Sequence, residues 1–297
     1  MTPGAAAIPR RNRPGLRARI GFVAVVAPPL LYLLCLYVVP VLMMLAYSFW
    51  ALDENYRMVP VWDLDQYKYL VQQPTFLKIL FRSVRMAFLN TAIALLVAYP
   101  LAYFLSREVK SRWKPLLLVM LIAPSWTSFL IRTYAWMLIL GDSGLINYGL
   151  RSLGIAQQSL PLLFNSGSVL TALVYVYLPY MLLPIYASLE KMDPSLLEAA
   201  RGLGANPFRA FRRVTLPLSV PGVIAGCMIT FIPSLGEYVV PALLGGRSGY
   251  MYGNLIADQF TMFDWPAGAS FAAILLLLTL VVMALLFRFV RLQDIWA

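Results

Sequence analysis

The sequence predicts an all-α protein, a polytopic bundle of about six helices crossing a membrane. Three observations predict it. Of the 297 residues, 61% are hydrophobic and only 12% charged, and the mean hydropathy is +0.74. A soluble fold of this size has no interior able to hide so much apolar surface, and disorder needs the opposite composition. Several stretches run free of charge for about the 20 residues that a helix rising 1.5 Å per residue needs to cross the hydrocarbon. Lysine and arginine are spread unevenly along the chain, as the orientation of a membrane protein requires.

Taken in order, the first span lies near 21–49, because no charge falls between Arg19 and Asp53. It follows Arg10, Arg11, Arg13, Arg17 and Arg19. A basic segment before an apolar run is also the layout of a signal peptide. Here the apolar run, about 30 residues, exceeds a signal peptide's core, so an uncleaved anchor is expected. The loop at 51–82 is long enough for an amphipathic segment. Met86–Ser106 gives span two, and Pro115–Leu140, interrupted only by Arg132, gives span three. Val169–Leu189 gives span four. Val214–Gly236 gives span five, with a continuation past Glu237 to Leu244 left open. Ala267–Phe287 gives span six. The spans contain Pro28, Pro29, Pro40, Pro100, Pro124, Pro179, Pro184, Pro221 and Pro233. Each removes a backbone donor and bends its helix. Such breaks accompany transport pathways, but proline is also an ordinary constituent of membrane helices.

Orientation follows from the basic residues. With the N-terminus inside, the inner segments are 1–20, 106–115, 190–217 and 288–297. They hold 16 of the 24 basic and 5 of the 13 acidic residues, so the whole net charge of +11 lies on the cytoplasmic face. That excess reads as topology and not as a nucleic-acid surface. Both termini are expected in the cytoplasm. The resulting domains are a basic N-terminal tail at 1–20, a transmembrane domain at 21–290 with a cytoplasmic loop at 190–217, and a C-terminal tail at 291–297.

Absences narrow the chemistry. The chain has no histidine, which excludes His-based catalysis and His-ligated metal. Its two cysteines, Cys35 and Cys227, sit in apolar runs and form no metal or disulfide signature. No Gly-Lys pair occurs, so the phosphate-cradling loop of nucleotide hydrolases is missing. No catalytic, cofactor or metal site is expected, and a membrane enzyme lacks a nucleophile–base pair. An autonomous secondary transporter would show an internal repeat and several intramembrane acids. The expected spans hold one acid, Glu237.

The loop at 190–217 carries the most local information. Asp193 can cap a helix that Pro194 opens. Leu196, Leu197, Ala200 and Leu203 share a helical face, and Gly204 ends the helix. Asn206 caps a second helix opened by Pro207, and Pro217 stops it before span five. The product is two short helices with a bend at the membrane surface. An interfacial helix resting on lipid headgroups would have the same pattern.

Glu198-Ala199-Ala200, three residues, Gly204, nine residues and Val214-Thr215-Leu216-Pro217 resemble the EAA motif of the membrane subunits of binding-protein-dependent ABC importers. That pattern is EAA-x3-G-x9-I-x-LP; only Val214 departs from it. Three further stretches, 132–136 (RTYAW), 141–147 (GDSGLIN) and 233–246 (PSLGEYVVPALLGG), are similar to one branch, the spermidine/putrescine permeases, and to the first of their two dissimilar subunits. The resemblance covers most of 20–290.

It implies a type I importer fold in the bacterial inner membrane, with a second permease subunit, two ATPase subunits and an extracytoplasmic binding protein as partners. ATP and magnesium would sit on the ATPases and no cofactor on this chain. The cargo would be a polyamine or, within the same branch, an opine or an amino acid derivative. Leu196, Leu197, Glu198, Ala199, Ala200, Leu203, Gly204, Ala205 and Pro207 would dock in the ATPase.

Glu237 calls for a reason of its own, because an acid inside a span is costly. A carboxylate flanked by aromatic rings suits a polycation, and Tyr238, Tyr134 and Trp136 are expected at its depth. The structural alternative is an ion pair between Glu237 and Arg132.

Overall fold

The computed structural model describes residues 16–289. The expected tails at 1–15 and 290–297, with Arg10, Arg11 and Arg13, lie outside the described residues. Fifteen helices are described. Six helical stretches are long and apolar enough to cross a membrane: Val25–Tyr47, Pro74–Arg107, Phe129–Ser152, Ser166–Glu190, Pro207–Leu235 and Trp265–Leu285.

The first crossing is made of α1 (Leu16–Leu33) and α2 (Val39–Tyr47), joined by a π-helical turn at Leu34–Val38. Pro40 stands two residues beyond that turn. It has no N–H for the usual bond, and the widened turn keeps its ring off the preceding carbonyl. None of the residues 25–47 is buried; α2 packs on the last described helix of the chain, and the rest of this crossing is left for lipid or another chain to cover. On the far side, Ala51–Leu52 (β1) pairs antiparallel with Met58–Val59 (β2). The Asp53 carboxylate holds the turn by accepting from the Asn55 and Arg57 amides, each at 2.8 Å.

The amphipathic segment expected between spans one and two is α3 (Asp65–Gln72). The second crossing, α4 (Pro74–Arg107), starts earlier than the expected Met86 because Pro74 opens it at N1. Its 34 residues run about 50 Å, longer than the hydrocarbon is thick. Lys78, Arg82 and Arg85 therefore ride on its protruding end and not in a loop.

The third span departs most from expectation. The stretch at 115–140 is not one helix. It divides into α5 (Lys114–Ile122), a 3₁₀ turn (Ala123–Trp126) and α6 (Phe129–Leu140). Pro124 withholds a donor, and the Thr127 hydroxyl donates to the Pro124 carbonyl at 2.7 Å, so the break is satisfied locally. A Gly141–Gly144 turn leads into α7 (Leu145–Ser152).

The fourth crossing, α8 (Ser166–Glu190), opens on a capping box. Asn165 accepts from the Gly167 and Ser168 amides, and Ser168 returns a bond to Asn165. Two short helices follow, α9 (Pro194–Gly202) and α10 (Pro207–Ala210). A π turn at Phe211–Thr215 then carries the chain directly into α11 (Leu216–Leu235). Pro217 does not stop the helix as expected. The Leu216 amide reaches back five residues to the Phe211 carbonyl, and this wide turn accommodates the proline two residues beyond it, as at Pro40. Span five does not continue past Glu237: α11 ends at Leu235, and α12 (Val239–Leu244), α13 (Gly246–Gly249) and α14 (Tyr252–Thr261) fold back before α15 (Trp265–Phe289).

At the centre, α4, α8 and α11 each pack on the other two. Lipid tails are as apolar as leucine, so close packing has to hold these helices together. Small residues permit it. Ala94, Ala98 and Ala102 form a buried stripe on α4 beneath Met181, Leu182 and Ile185 of α8. Gly222 and Gly226 of α11 lie against the Pro184 carbonyl with Ser188, and against Met181.

Candidate functional site

Two places concentrate functional chemistry, one at each end of the central helices. At the first, α9 and α10 form the bent pair read from the sequence. The Asp193 carboxylate accepts from the Ser195 amide at 2.9 Å, and Asn206 accepts from the Arg209 amide at 2.8 Å. Between them Gly204 has φ +83°, the left-handed region that disfavours a side chain. The Ala205 amide closes the bend on the Ala200 carbonyl at 3.0 Å. Two caps and a left-handed glycine make a short helix rigid without a large core.

The apolar face is divided. Leu197, Ala200 and Ala205 are half-buried, whereas Leu196, Glu198, Ala199, Leu203, Gly204 and Pro207 are exposed. Leu203, at the apex, is 90% exposed. Phe208, in the first turn of α10, is also exposed, and the sequence reading overlooked it. A leucine and a phenylalanine exposed on this capped helical pair offer apolar surface that a partner can cover.

Packing ties this loop to α4 and α5. Phe211 sits edge-on to Tyr99 and Tyr103, 5.9 Å from each ring centre. Arg107 donates to the Leu189 carbonyl at 3.0 Å, and Lys114 pairs with Glu190 at 2.8 Å. In the sequence Arg107 and Lys114 served only as topology charges, since contacts across some eighty residues leave no local pattern. Hydrogen bonding from Ser195 holds the Asp193 carboxyl below its ordinary value of 3.8. The cap is therefore complete above that ordinary value and is lost as pH falls through the lowered one. Asp193→Ala is expected to fray α9 and weaken partner capture, whereas Asp193→Asn keeps an acceptor and the helix. Hydrogen exchange across 194–202 in the two variants measures the difference.

At the other end of α11, Glu237 occupies the break before α12 and is only 8% exposed. One carboxylate oxygen accepts from the Tyr238 and Val239 amides at 3.1 and 3.0 Å, at the start of α12. The other accepts from the Tyr177 hydroxyl of α8 at 3.1 Å. Tyr177 lies 6.3 Å from Tyr180, and Trp136 of α6 meets Tyr175 edge-on at 5.5 Å. Trp136 and Tyr177 pack against one core cluster. Thus Glu237, Tyr238 and Tyr177 meet directly, and Trp136 is joined to them through α8. Tyr134, also on α6, is exposed.

The alternative ion pair between Glu237 and Arg132 does not form among the described residues. The two amides and one hydroxyl already satisfy the carboxylate, and Arg132 turns into a separate groove with α4, α5 and α8. Tyr175, Tyr177 and Tyr180 were missed in the sequence because tyrosine in a span reads first as interfacial.

Residues 22–295 match the family model of the binding-protein-dependent transport system inner membrane component. The spermidine/putrescine transport system permease protein PotB of Escherichia coli is 39% identical over 78% of this chain and 84% of its own length. That of Haemophilus influenzae is 37% identical over 88% and 90%. The E. coli inner membrane ABC transporter permease protein YdcU is 31% identical over 94% and 90%. In structure, a chain of a bacterial alginate ABC transporter, solved with an alginate-bound periplasmic protein, superposes with a TM-score of 0.74 at 15% identity. That match covers 94% of this chain and 96% of the other, and it establishes the shared fold. With the fold and the family match in agreement, the chain belongs to the binding-protein-dependent transport system inner membrane components, as a multi-pass inner-membrane permease subunit of an ABC importer that performs no catalysis itself.

Proposed function

We propose that this permease forms half of the pathway of a heteromeric polyamine importer. The observation that carries the substrate reading is the 37–39% identity, over 78% and 88% of the chain, with two permeases of spermidine/putrescine systems. The buried carboxylate of Glu237 accepts from the Tyr177 hydroxyl, and the Trp136–Tyr175 ring pair joins α6 to the same helix α8; an acid and aromatic rings give a chemical basis for passing an amine. In this reading a second permease subunit supplies the other wall, and an extracytoplasmic binding protein delivers the cargo. Two ATPases beneath the membrane hold ATP and magnesium. Both termini face the cytoplasm, in keeping with the basic inner segments.

Leu196, Leu197, Glu198, Ala199, Ala200, Leu203, Gly204, Ala205 and Pro207 form the element that enters an ATPase groove, joined by Phe208. Closing of the ATPase pair moves α9 and α10 as a rigid unit. Through Phe211, Arg107 and Lys114 that movement reaches α4 and α8. Such a unit transmits motion only if its contacts differ between inward- and outward-facing states.

Glu237→Gln separates charge from structure. The amide oxygen still caps α12, but the charge is gone. Amine uptake is expected to fall about tenfold or more, the loss of a charge-assisted hydrogen bond, while ATPase capture is unchanged. Uptake equal to wild type would remove Glu237 from the pathway.

A further inference from the structure

We propose that the groove between α4, α5, α6 and α8 is a docking site for the second permease subunit, which inserts an acidic side chain from an apolar helix against Arg132. The proposal rests on the heteromeric reading above and adds the place of contact and its chemistry. The groove encloses about 400 Å³. Its walls are apolar, with Leu105 from α4, Leu117 and Leu121 from α5 and Leu178 from α8. Three lining residues carry polar side-chain groups, Arg132, Ser125 and Tyr175. Arg132 is only 9% exposed. Its Nε and the Ser125 Oγ are both buried without a hydrogen-bond partner among the described residues. A buried guanidinium with no acceptor is costly. The Ser125 hydroxyl in the same groove is free to donate as well, so the missing group is an anionic acceptor.

Depth and sequence select the source. The groove also includes Tyr175, which with Leu178 lies near the middle of the 25-residue α8. Arg132 therefore faces the interior of the membrane, about 10 Å or more from the ends of α8 by the helical rise. A phospholipid phosphate resides at the interface, whereas a carboxylate on a crossing helix reaches this depth readily. A second copy of this chain does not supply one: Asp142 lies in the turn after α6, Glu190 ends α8 and is paired with Lys114, and Glu237 is already held by α12 and Tyr177. A different subunit with an acid in an apolar helix completes the site.

The test uses the complete importer complex in membranes, with the photoreactive amino acid p-benzoyl-phenylalanine in place of Met120. Met120 lines the groove with its side chain exposed. Illumination is expected to join this chain to the second permease subunit, and Arg132→Met is expected to lower the adduct about tenfold or more, as loss of one partner of a buried pair does. In the isolated chain the same substitution removes a buried unpaired charge, so thermal stability in detergent should hold or rise. Adducts with lipid alone, with a second copy of the chain, or with nothing would overturn the proposal, as would an adduct that Arg132→Met leaves undiminished. If the second permease does not co-purify, the heteromeric reading itself fails, and that outcome is visible before illumination.

Discussion

Leu203→Asp is expected to abolish capture of the ATPase and, with it, ATP-driven uptake. Leu203 projects from the apex of the bend with 90% of its surface exposed. It makes no core contact whose loss could unfold the chain. The folded permease should therefore purify in normal yield. Burying a carboxylate in an apolar groove removes the leucine's contribution and adds desolvation of a charge. Central apolar anchors of interfaces typically contribute about 2 kcal/mol or more, so capture should weaken at least about thirtyfold. Gly204→Val acts at the same place by another route. A Cβ there meets nothing within 4 Å, yet φ is +83°, so the bend changes shape while the surface stays apolar. Both variants are measured by co-purification of the ATPase and by uptake. Normal capture by Leu203→Asp would show that the loop rests on lipid, the interfacial arrangement its sequence also allows.

Gly222→Leu is expected to destroy the fold. A Cβ at this position would overlap the Pro184 carbonyl oxygen and the Ser188 side chain. The first is backbone inside α8 and has no rotamer into which it can withdraw. The helices must part, and the stripe of Ala94, Ala98 and Ala102 against α8 loses its packing with them. Overpacking of this kind costs about 3 kcal/mol or more, a large share of the stability of a typical domain. The chain should aggregate on extraction or melt well below wild type. Gly149→Ala is the control: its Cβ would meet nothing within 4 Å inside α7, and better helix propensity should leave stability equal or slightly raised. A Gly222→Leu chain as stable as wild type would mean that α8 and α11 do not pack closely.

The parts of the fold legible in the sequence are those written locally. Charge-free runs give six crossings, and the cap–proline pairs Asp193-Pro194 and Asn206-Pro207 give both short helices. Gly204 marks the bend. The misread breaks share a cause: proline says that a helix is perturbed but not how. Pro124 sits at a true break, whereas Pro217 and Pro40 are absorbed by π turns two residues earlier. Composition alone does not distinguish these cases.

The buried carboxylate was legible as an expense, but its partners were not. Charge pairing suggested Arg132, whereas the structure answers Glu237 with the start of α12 and a tyrosine sixty residues away. Gly236 directly before Glu237 was the available sign that a new helix begins there. Arg132, left without its expected partner, became informative for that reason.

The most direct measurement is uptake of labelled spermidine and putrescine by proteoliposomes. These would contain this chain, its partner permease and the ATPases, with the binding protein outside and ATP within. Accumulation is expected only when every component and ATP are present, and to fall with Leu203→Asp and Glu237→Gln. Polyamine uptake without the ATPases, or none by an assembled complex that hydrolyses ATP, would contradict the reading of this chain as half of a polyamine importer.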